Sequence, residues 1–412
     1  MKDEGFNVNR QLRVFAFMKT LVPILIGIYL FFNPFPHTTT IKEICFYGAL
    51  SMTLLLAINR DTDFSFRTPL SIPLGFYTFW ALVSIFFAVN KGNSLHDYRA
   101  HLLKYMVFFF LLYNFFSTRK RLEILSKIIM ISTTVASTAG LWYFYIKLET
   151  PFGRRFNNPF GEIHLNQIGI LLVFAINLYL RHLRHSRHLW HGIVMTLLIC
   201  PNVIATVMMQ TRSAVFALFV TILVQFMDRK RTMAALLIGL TGIVALSPGK
   251  QRFFRTELNT VRLRQHLVSI QVIKDYPLTG IGFGLRPYGK TLDLKAYIQR
   301  LPEQLQDEKY LTIPHSMLMH IGVSVGVVGL FLFLWVIFVF IKICWANGLR
   351  SKDKFIRNWG RCILSAFLGF FVIGVFEPIF FHSGEVVLFT IFAMAAIVWR
   401  LNNACRITHM QV

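Results

Sequence analysis

Three short stretches hold residues whose types and spacing suit chemistry. Arg212 stands in Gln210-Thr211-Arg212-Ser213, a connection so short that the apolar runs on either side must fold back as a tight hairpin. A guanidinium there either snorkels to lipid headgroups or holds a ligand, and a turn this short needs no anchor. The stretch from Arg255 to Lys274 reads as a helix. Arg255, Arg262 and His266 fall on one stripe of it, beside an apolar stripe of Leu263, Leu267 and Ile270. Such a helix lies at a membrane interface with its cations at headgroup level. The stripe then serves either the lipid surface or an anionic ligand. Arg264 is roughly 200° around the helix from Arg262, so the two cannot point at one ligand. Finally, His315 in Pro314-His315-Ser316 opens a long apolar helix. The positive end of a helix disfavours imidazolium, so a neutral His there is suited to accept a proton. A cap or surface role fits the same residue. Gly322 and Gly326 follow as a small-xxx-small pair that permits close helix packing.

Other chemistries find no support. There is no P-loop, HExxH or GxSxG motif. Gly280-Ile281-Gly282-Phe283-Gly284 looks like a nucleotide loop, but it follows Pro277 and opens no βαβ unit. Its glycines are better read as letting the backbone turn sharply at the membrane surface. Cys45, Cys200, Cys344, Cys362 and Cys405 are scattered and never at CxxC spacing, so neither a disulfide framework nor a zinc site is expected. No Asp/Glu cluster for a metal stands on the side of the candidate residues.

The elements that must position these residues follow from composition. The chain has 412 residues, a formal net charge of +24, 55% hydrophobic and 15% charged residues, and a mean hydropathy of +0.55. Soluble domains carry roughly 25% charged residues, so a soluble enzyme and a disordered chain are both excluded. A polytopic helical membrane protein remains. Apolar runs near 20 residues can cross a core about 30 Å thick. About twelve occur, at roughly 14–35, 41–58, 70–88, 100–116, 124–146, 163–180, 190–210, 213–227, 232–247, 316–343, 359–377 and 384–400. The polar start MKDEGFNVNR and the lack of a small-residue cleavage site mark the first run as a retained helix.

An even number of spans puts both termini on one side. The short connections on that side hold Arg119-Lys120-Arg121, the Arg181/Arg184/Arg187 cluster, Arg229-Lys230-Arg231 and the run from Arg350 to Arg361. By the positive-inside rule that side is cytoplasmic. The basic excess is thus accounted for without nucleic acid. Three regions result: transmembrane helices in 1–247, a long partly helical outer loop in 248–315, and transmembrane helices with a cytoplasmic tail in 316–412. The loop carries more Lys and Arg than Asp and Glu, on the side where cations are disfavoured. It either crosses regardless of charge, as long loops do, or faces an anionic partner. Glu377-Pro378 and Glu385 flank the last outer turn, as site residues or as span ends.

His315-Ser316, nine residues, then Gly326-Val327-Val328-Gly329 resembles the His-[Asn/Ser/Gln]-x9-Gly-x-x-Gly signature of bacterial O-antigen ligases. Thr211-Arg212-Ser213-Ala214 is similar to the Thr/Ser-Arg-Gly/Ser-Ala turn of the wider ligase and polymerase family. Arg262 to Gly284, with Asp275-Tyr276-Pro277-Leu278-Thr279-Gly280-Ile281-Gly282, resembles the family's Arg-x3-Trp…Pro-x-x-Gly-x-Gly region, with His266 in place of Trp.

The resemblance implies an all-α, GT-C-like polytopic fold of about twelve helices with a large periplasmic loop. It implies an inverting glycosyl transfer without metal or cofactor at the periplasmic face of a Gram-negative inner membrane. The donor would be O-antigen on undecaprenyl pyrophosphate and the acceptor a sugar hydroxyl of lipid A-core. Arg212 and Arg262 would bind pyrophosphate, since guanidinium pairs bidentately with phosphate oxygens and stays charged. His315 would take the acceptor's proton. A polymerase acting on lipid-linked repeat units shares the fold. A transporter of lipid-linked sugars is the alternative from another class, against which no internal repetition is visible.

Overall fold

The computed structural model describes residues 2–157, 165–185, 188–247, 258–306, 313–378 and 383–410. These residues form helices and connections, with no strand among them. The elements are α1 (Lys2–Phe31), α2 (Thr39–Ile58), α3 (Ser71–Phe86), α4 (Lys91–Asp97), a π-helical turn (Tyr98–Leu103), α5 (Lys104–Phe115) and α6 (Arg119–Leu141), which continues as a π-helical turn (Trp142–Lys147). Then come α7 (Leu165–His185), α8 (Leu189–Met208), α9 (Arg212–Gln225) and α10 (Lys230–Leu246). The segment between α10 and α14 contributes α11 (Leu258–Asp275), α12 (Arg286–Lys290) and α13 (Leu294–Gln299). Last are α14 (Met317–Arg350), α15 (Lys354–Gly374) and α16 (Ser383–Met410).

Every predicted apolar stretch falls on helix. Among the described residues, seven helices are long and apolar enough to cross a membrane by length and composition: 13–31, 39–58, 119–147, 189–208, 317–350, 354–374 and 384–405. Ser71–Phe86 and Arg212–Gln225 are apolar but shorter. The helices α7, α14, α15 and α16 pack into one core around Phe340, Phe367 and Phe392.

One end of the bundle is tied by arginines. Arg181 pairs with Glu123 at 2.5 Å and lies 3.6 Å over the Trp359 ring. Arg119 pairs with Asp353. Arg184 and Arg361 converge on Asp228 at 2.5 and 2.7 Å. Burial alone would raise the Asp228 carboxyl, but hydrogen bonds from the two arginines outweigh it and hold it at about 2. The clustered cations of the sequence therefore meet across elements at this end, Arg187 lying outside the described residues.

The other end carries α11, α12 and α13, with a small core of Val268, Val272, Ile281, Tyr288 and Tyr297. The unit enters the bundle through its glycines. Gly280, Gly282 and Gly284 have φ of 66°, 108° and 108°, and a Cβ on them would overlap the Val323 carbonyl, Ala88 and Asp97 respectively. This close approach lets Ile281 N–H donate to Val323 O (2.9 Å) and Gly282 N–H to Ser324 O (3.1 Å). Val323 and Ser324 have free carbonyls because α14 breaks at Gly326 (φ 73°, ψ −175°). Val327 N–H turns to Pro277 O instead (2.8 Å), and Trp80 Nε1–H donates to Val325 O (3.0 Å). A backbone group buried without a partner is costly, so break and loop require each other.

The expected helix-packing role thus holds for one glycine of the pair. Gly322 seats the Ile273 side chain, at 2.9 Å from where a Cβ would stand, whereas Gly326 makes the break. Gly326→Ala combines a φ that costs about 1–3 kcal/mol with overlap on the Leu278 carbonyl. A clear drop in melting temperature in detergent is expected. Gly75→Ala in α3, where nothing stands within 4 Å, should leave it unchanged or raise it. Equal melting of Gly326→Ala and wild type would sink this reading of the break.

Candidate active site

Around Arg262, His266 and His315 the structure assembles one cluster from three elements. The described part of α11 begins at Leu258, so Arg255 lies outside the described residues. Arg262 sits on its second turn, with the guanidinium 5.0 Å from the ring centroid of Phe376. Phe376 lies in the turn that ends α15, where Phe376 N–H donates to Ile373 O (2.9 Å). Glu377 follows at once and is buried. His315 precedes Ser316, the N-cap of α14, and its Nδ1 is 3.6 Å from a Glu377 carboxylate oxygen. That is ion-pair range, longer than a direct hydrogen bond. Catalytic contacts commonly shorten when substrate binds. His266, one turn after Arg262, is held below the usual imidazole range first by burial and then by the positive fields of Arg262 and His315. It is therefore neutral at pH 7.

The helix packs on the small core by another face than its Leu263/Leu267/Ile270 stripe. Leu263 and Ile270 are exposed, while Arg264, Val268, Ser269 and Val272 face inward. The packing face is fixed by Tyr288 and Val323 in the small core, against which Leu267 also packs, while Leu263 and Ile270 are left outward, as on an interfacial helix. Arg264 is only 4% exposed and points away from the Arg262 flank.

Arg212 is the first residue of α9, after Thr211 in extended conformation and Gln210 at φ 51°. Gln210 Nε2 donates to Gly153 O (3.2 Å) and Arg155 Nε to Met209 O (2.8 Å), which pins the turn. Its helix runs antiparallel to α15. Ser365 Oγ donates to Thr221 O (2.9 Å), and Gly369 abuts Thr221 and Ala217. At about 1.5 Å per residue, the start of α9 is level with the Phe376-Glu377 turn. Arg212, Arg262 and His315 thus share one end of the bundle. His315 and Arg262 meet through neighbouring residues of one turn, and Arg212 stands beside that turn on the adjacent helix.

Sequence reasoning placed Glu377 near the outer turn but did not pair it with His315. It missed a second cluster below the glycine loop. Asp97 is buried, accepts Arg286 N–H (3.0 Å) and pairs with Arg286 Nε (3.2 Å). His101, in the π-helical turn, pairs with fully buried Glu385 at 2.7 Å. Of these only His101 and Glu385 fall inside predicted apolar stretches, and Glu385 alone had been singled out; Asp97 and Arg286 lie in connections that gave no signal.

The arrangement can pair an imidazole, oriented by a carboxylate, with guanidinium groups able to receive an anion. Fold and site together define a multi-pass helical membrane protein with a polar site at one end of its bundle. Residues 165–334 match the family model described as O-Antigen ligase, and this stretch is similar to the O-antigen ligase/polymerase family. Members are glycosyltransferase-like enzymes acting on lipid-linked glycans. The matched stretch runs from α7 into α14 and contains Arg212, Arg262 and His315; Phe376 and Glu377 lie beyond it. No curated protein matches the chain.

Proposed function

We propose that this chain is an O-antigen ligase of the bacterial inner membrane, with its active site on the periplasmic side. It joins a glycan carried on undecaprenyl pyrophosphate to a sugar hydroxyl of lipid A-core. The observation that carries the reading is the meeting of His315, Glu377 and Arg262 in one cluster, level with Arg212. The orientation is supported by the arginine-tied opposite end, which suits the cytoplasm.

The acceptor oxygen attacks the anomeric carbon while its proton passes to Nε2 of His315. Glu377, beside Nδ1, favours the tautomer that leaves Nε2 free and steadies the imidazolium that forms. The bond from the anomeric carbon to the pyrophosphate oxygen breaks. Undecaprenyl pyrophosphate departs with the electron pair, its charge met by Arg212 and Arg262. A single displacement inverts the anomeric centre. Guanidinium groups carry the leaving-group charge, so the scheme asks for no metal.

A polymerase of the same family is the second reading; the His315-Ser316-x9-Gly326-x-x-Gly329 match favours the ligase. Deleting the gene separates them. A lost ligase leaves polymer on the lipid carrier and none on the core, whereas a lost polymerase leaves single repeat units on the core. Purified protein that transfers glycan from lipid-linked donor to lipid A-core would support the ligase. Transfer only between lipid-linked units would overturn it.

A further inference from the structure

The segment from α4 through the π-helical turn joins the bundle to the unit that carries Arg262, and it is itself clamped. His101 in the turn pairs with Glu385 of α16 at 2.7 Å, and Lys104, the first residue of α5, pairs with Glu43 of α2. Asp97 ends α4 and is buried. One oxygen of its carboxylate accepts the Arg286 N–H (3.0 Å), and the other pairs with Arg286 Nε (3.2 Å). Gly284 makes this approach possible, since a Cβ there would stand 2.2 Å from the carboxylate. Around the link, Val89 N–H donates to Ile281 O (3.0 Å) and Asn93 Nδ2 to Thr291 Oγ1 (3.4 Å). Tyr98 meets Phe283 edge-on. Ile281 and Tyr288 in turn pack with Val268 and Val272, on the helix that carries Arg262.

We propose that Asp97 is a positioning residue for the transfer, setting through Arg286 and the glycine loop where α11 holds Arg262, an inference that rests on the reading of Arg262 as a pyrophosphate ligand. Pro277 O, accepting from Val327 N–H, pins the exit of α11. A helix pinned at one end can still swing about that point. Along its body Val268 and Val272 pack with Val323, and Ile273 sits on Gly322. Apolar burial is non-directional, so these contacts hold α11 against α14 while tolerating a slide along it. The Asp97–Arg286 link is directed, because both oxygens of one buried carboxylate are engaged. A buried charge that loses its partner is costly, so the link resists every register that breaks it. The guanidinium of Arg262 lies 5.0 Å from the Phe376 ring, next to the Glu377 that His315 faces. A swing of about 1 Å moves that cation off the point where charge develops, and such a misplacement costs up to about a hundredfold in rate.

Asp97→Asn, Arg286→Gln and the double variant of the full-length protein test this. Transfer is measured at matched folded protein, and the His266 imidazole is titrated beside it. Asn at this position still accepts the Arg286 N–H but cannot pair with its charge. Each single variant should lower turnover on the order of tenfold and change KM for the donor by less. The double variant should be no slower than the slower single, because the two residues form one link. The pKa of His266 should rise in all three, since a displaced α11 carries it out of its burial and away from His315. The Arg286 side chain is 40% exposed, so Arg286→Gln supplies turnover and titration if Asp97→Asn does not fold. Wild-type turnover with an unmoved His266 in the folded fraction, and only yield or melting temperature lowered, would overturn the proposal. So would losses that multiply in the double variant, which would make Arg286 a residue acting on its own. Wild-type turnover in Arg262→Ala would instead sink the pyrophosphate reading; the His266 titration separates the two failures, because it reports on α11 alone.

Discussion

His315→Ala should lose glycan transfer by about two to four orders of magnitude, the range for removing a positioned base. It should keep binding of the lipid-linked donor, because that binding is assigned to Arg212 and Arg262. His315→Gln separates proton transfer from positioning. Gln can accept a hydrogen bond from the acceptor hydroxyl but cannot take up its proton at neutral pH. Near-normal transfer by His315→Gln would leave His315 a positioning residue, and another base would be required. Glu377→Gln offers an independent readout, because Glu377 is placed to act through His315. It should lower the turnover number and leave KM for the donor nearly unchanged. A rise in KM alone would assign Glu377 to donor binding.

How far the sequence led depends on the range of the contacts involved. Apolar stretches are local signals, and helices fall on all of them. The shared end of Arg212, Arg262 and His315 follows from counting spans, and the structure places the three there. Pairings between distant parts of the chain were hidden. Glu377 meets His315, and Asp97 meets Arg286, through packing that no local period encodes. Gly326 shows why a motif can be legible and its physics not. As a letter in a pattern it marks the family signature, and as half of a small-xxx-small pair it suggests helix packing. The break is intelligible only once the glycine loop from Gly280 to Gly284 is seen to supply the missing donors. The helix Leu258–Asp275 makes the same point. Its buried face is set by Tyr288 and Val323 from other elements, not by its own most apolar stripe.

Arg262 and Arg264 stand two residues apart, so the same substitution on each separates site chemistry from overall charge. Arg262→Ala should reduce transfer about a hundredfold or more, since losing one preorganised donor to a developing charge costs about 3 kcal/mol. The loss should be in turnover of correctly folded protein. Imidazole titration gives a second readout. With a cation removed beside it, the pKa of His266 should rise, because Arg262 is one of the groups that hold it down. Arg264 is buried on the other flank, so its truncation acts on the fold. Arg264→Ala should lower yield and melting temperature while the folded fraction turns over at close to the wild-type rate. Arg264→Lys keeps the charge and Arg262→Lys keeps it too, but Lys cannot grip phosphate with a planar fork. Arg262→Lys should therefore stay impaired. If Arg264→Lys, at matched folded protein, loses as much turnover as Arg262→Lys, the pyrophosphate assignment of Arg262 falls, and the arginines of this helix act only as a shared field.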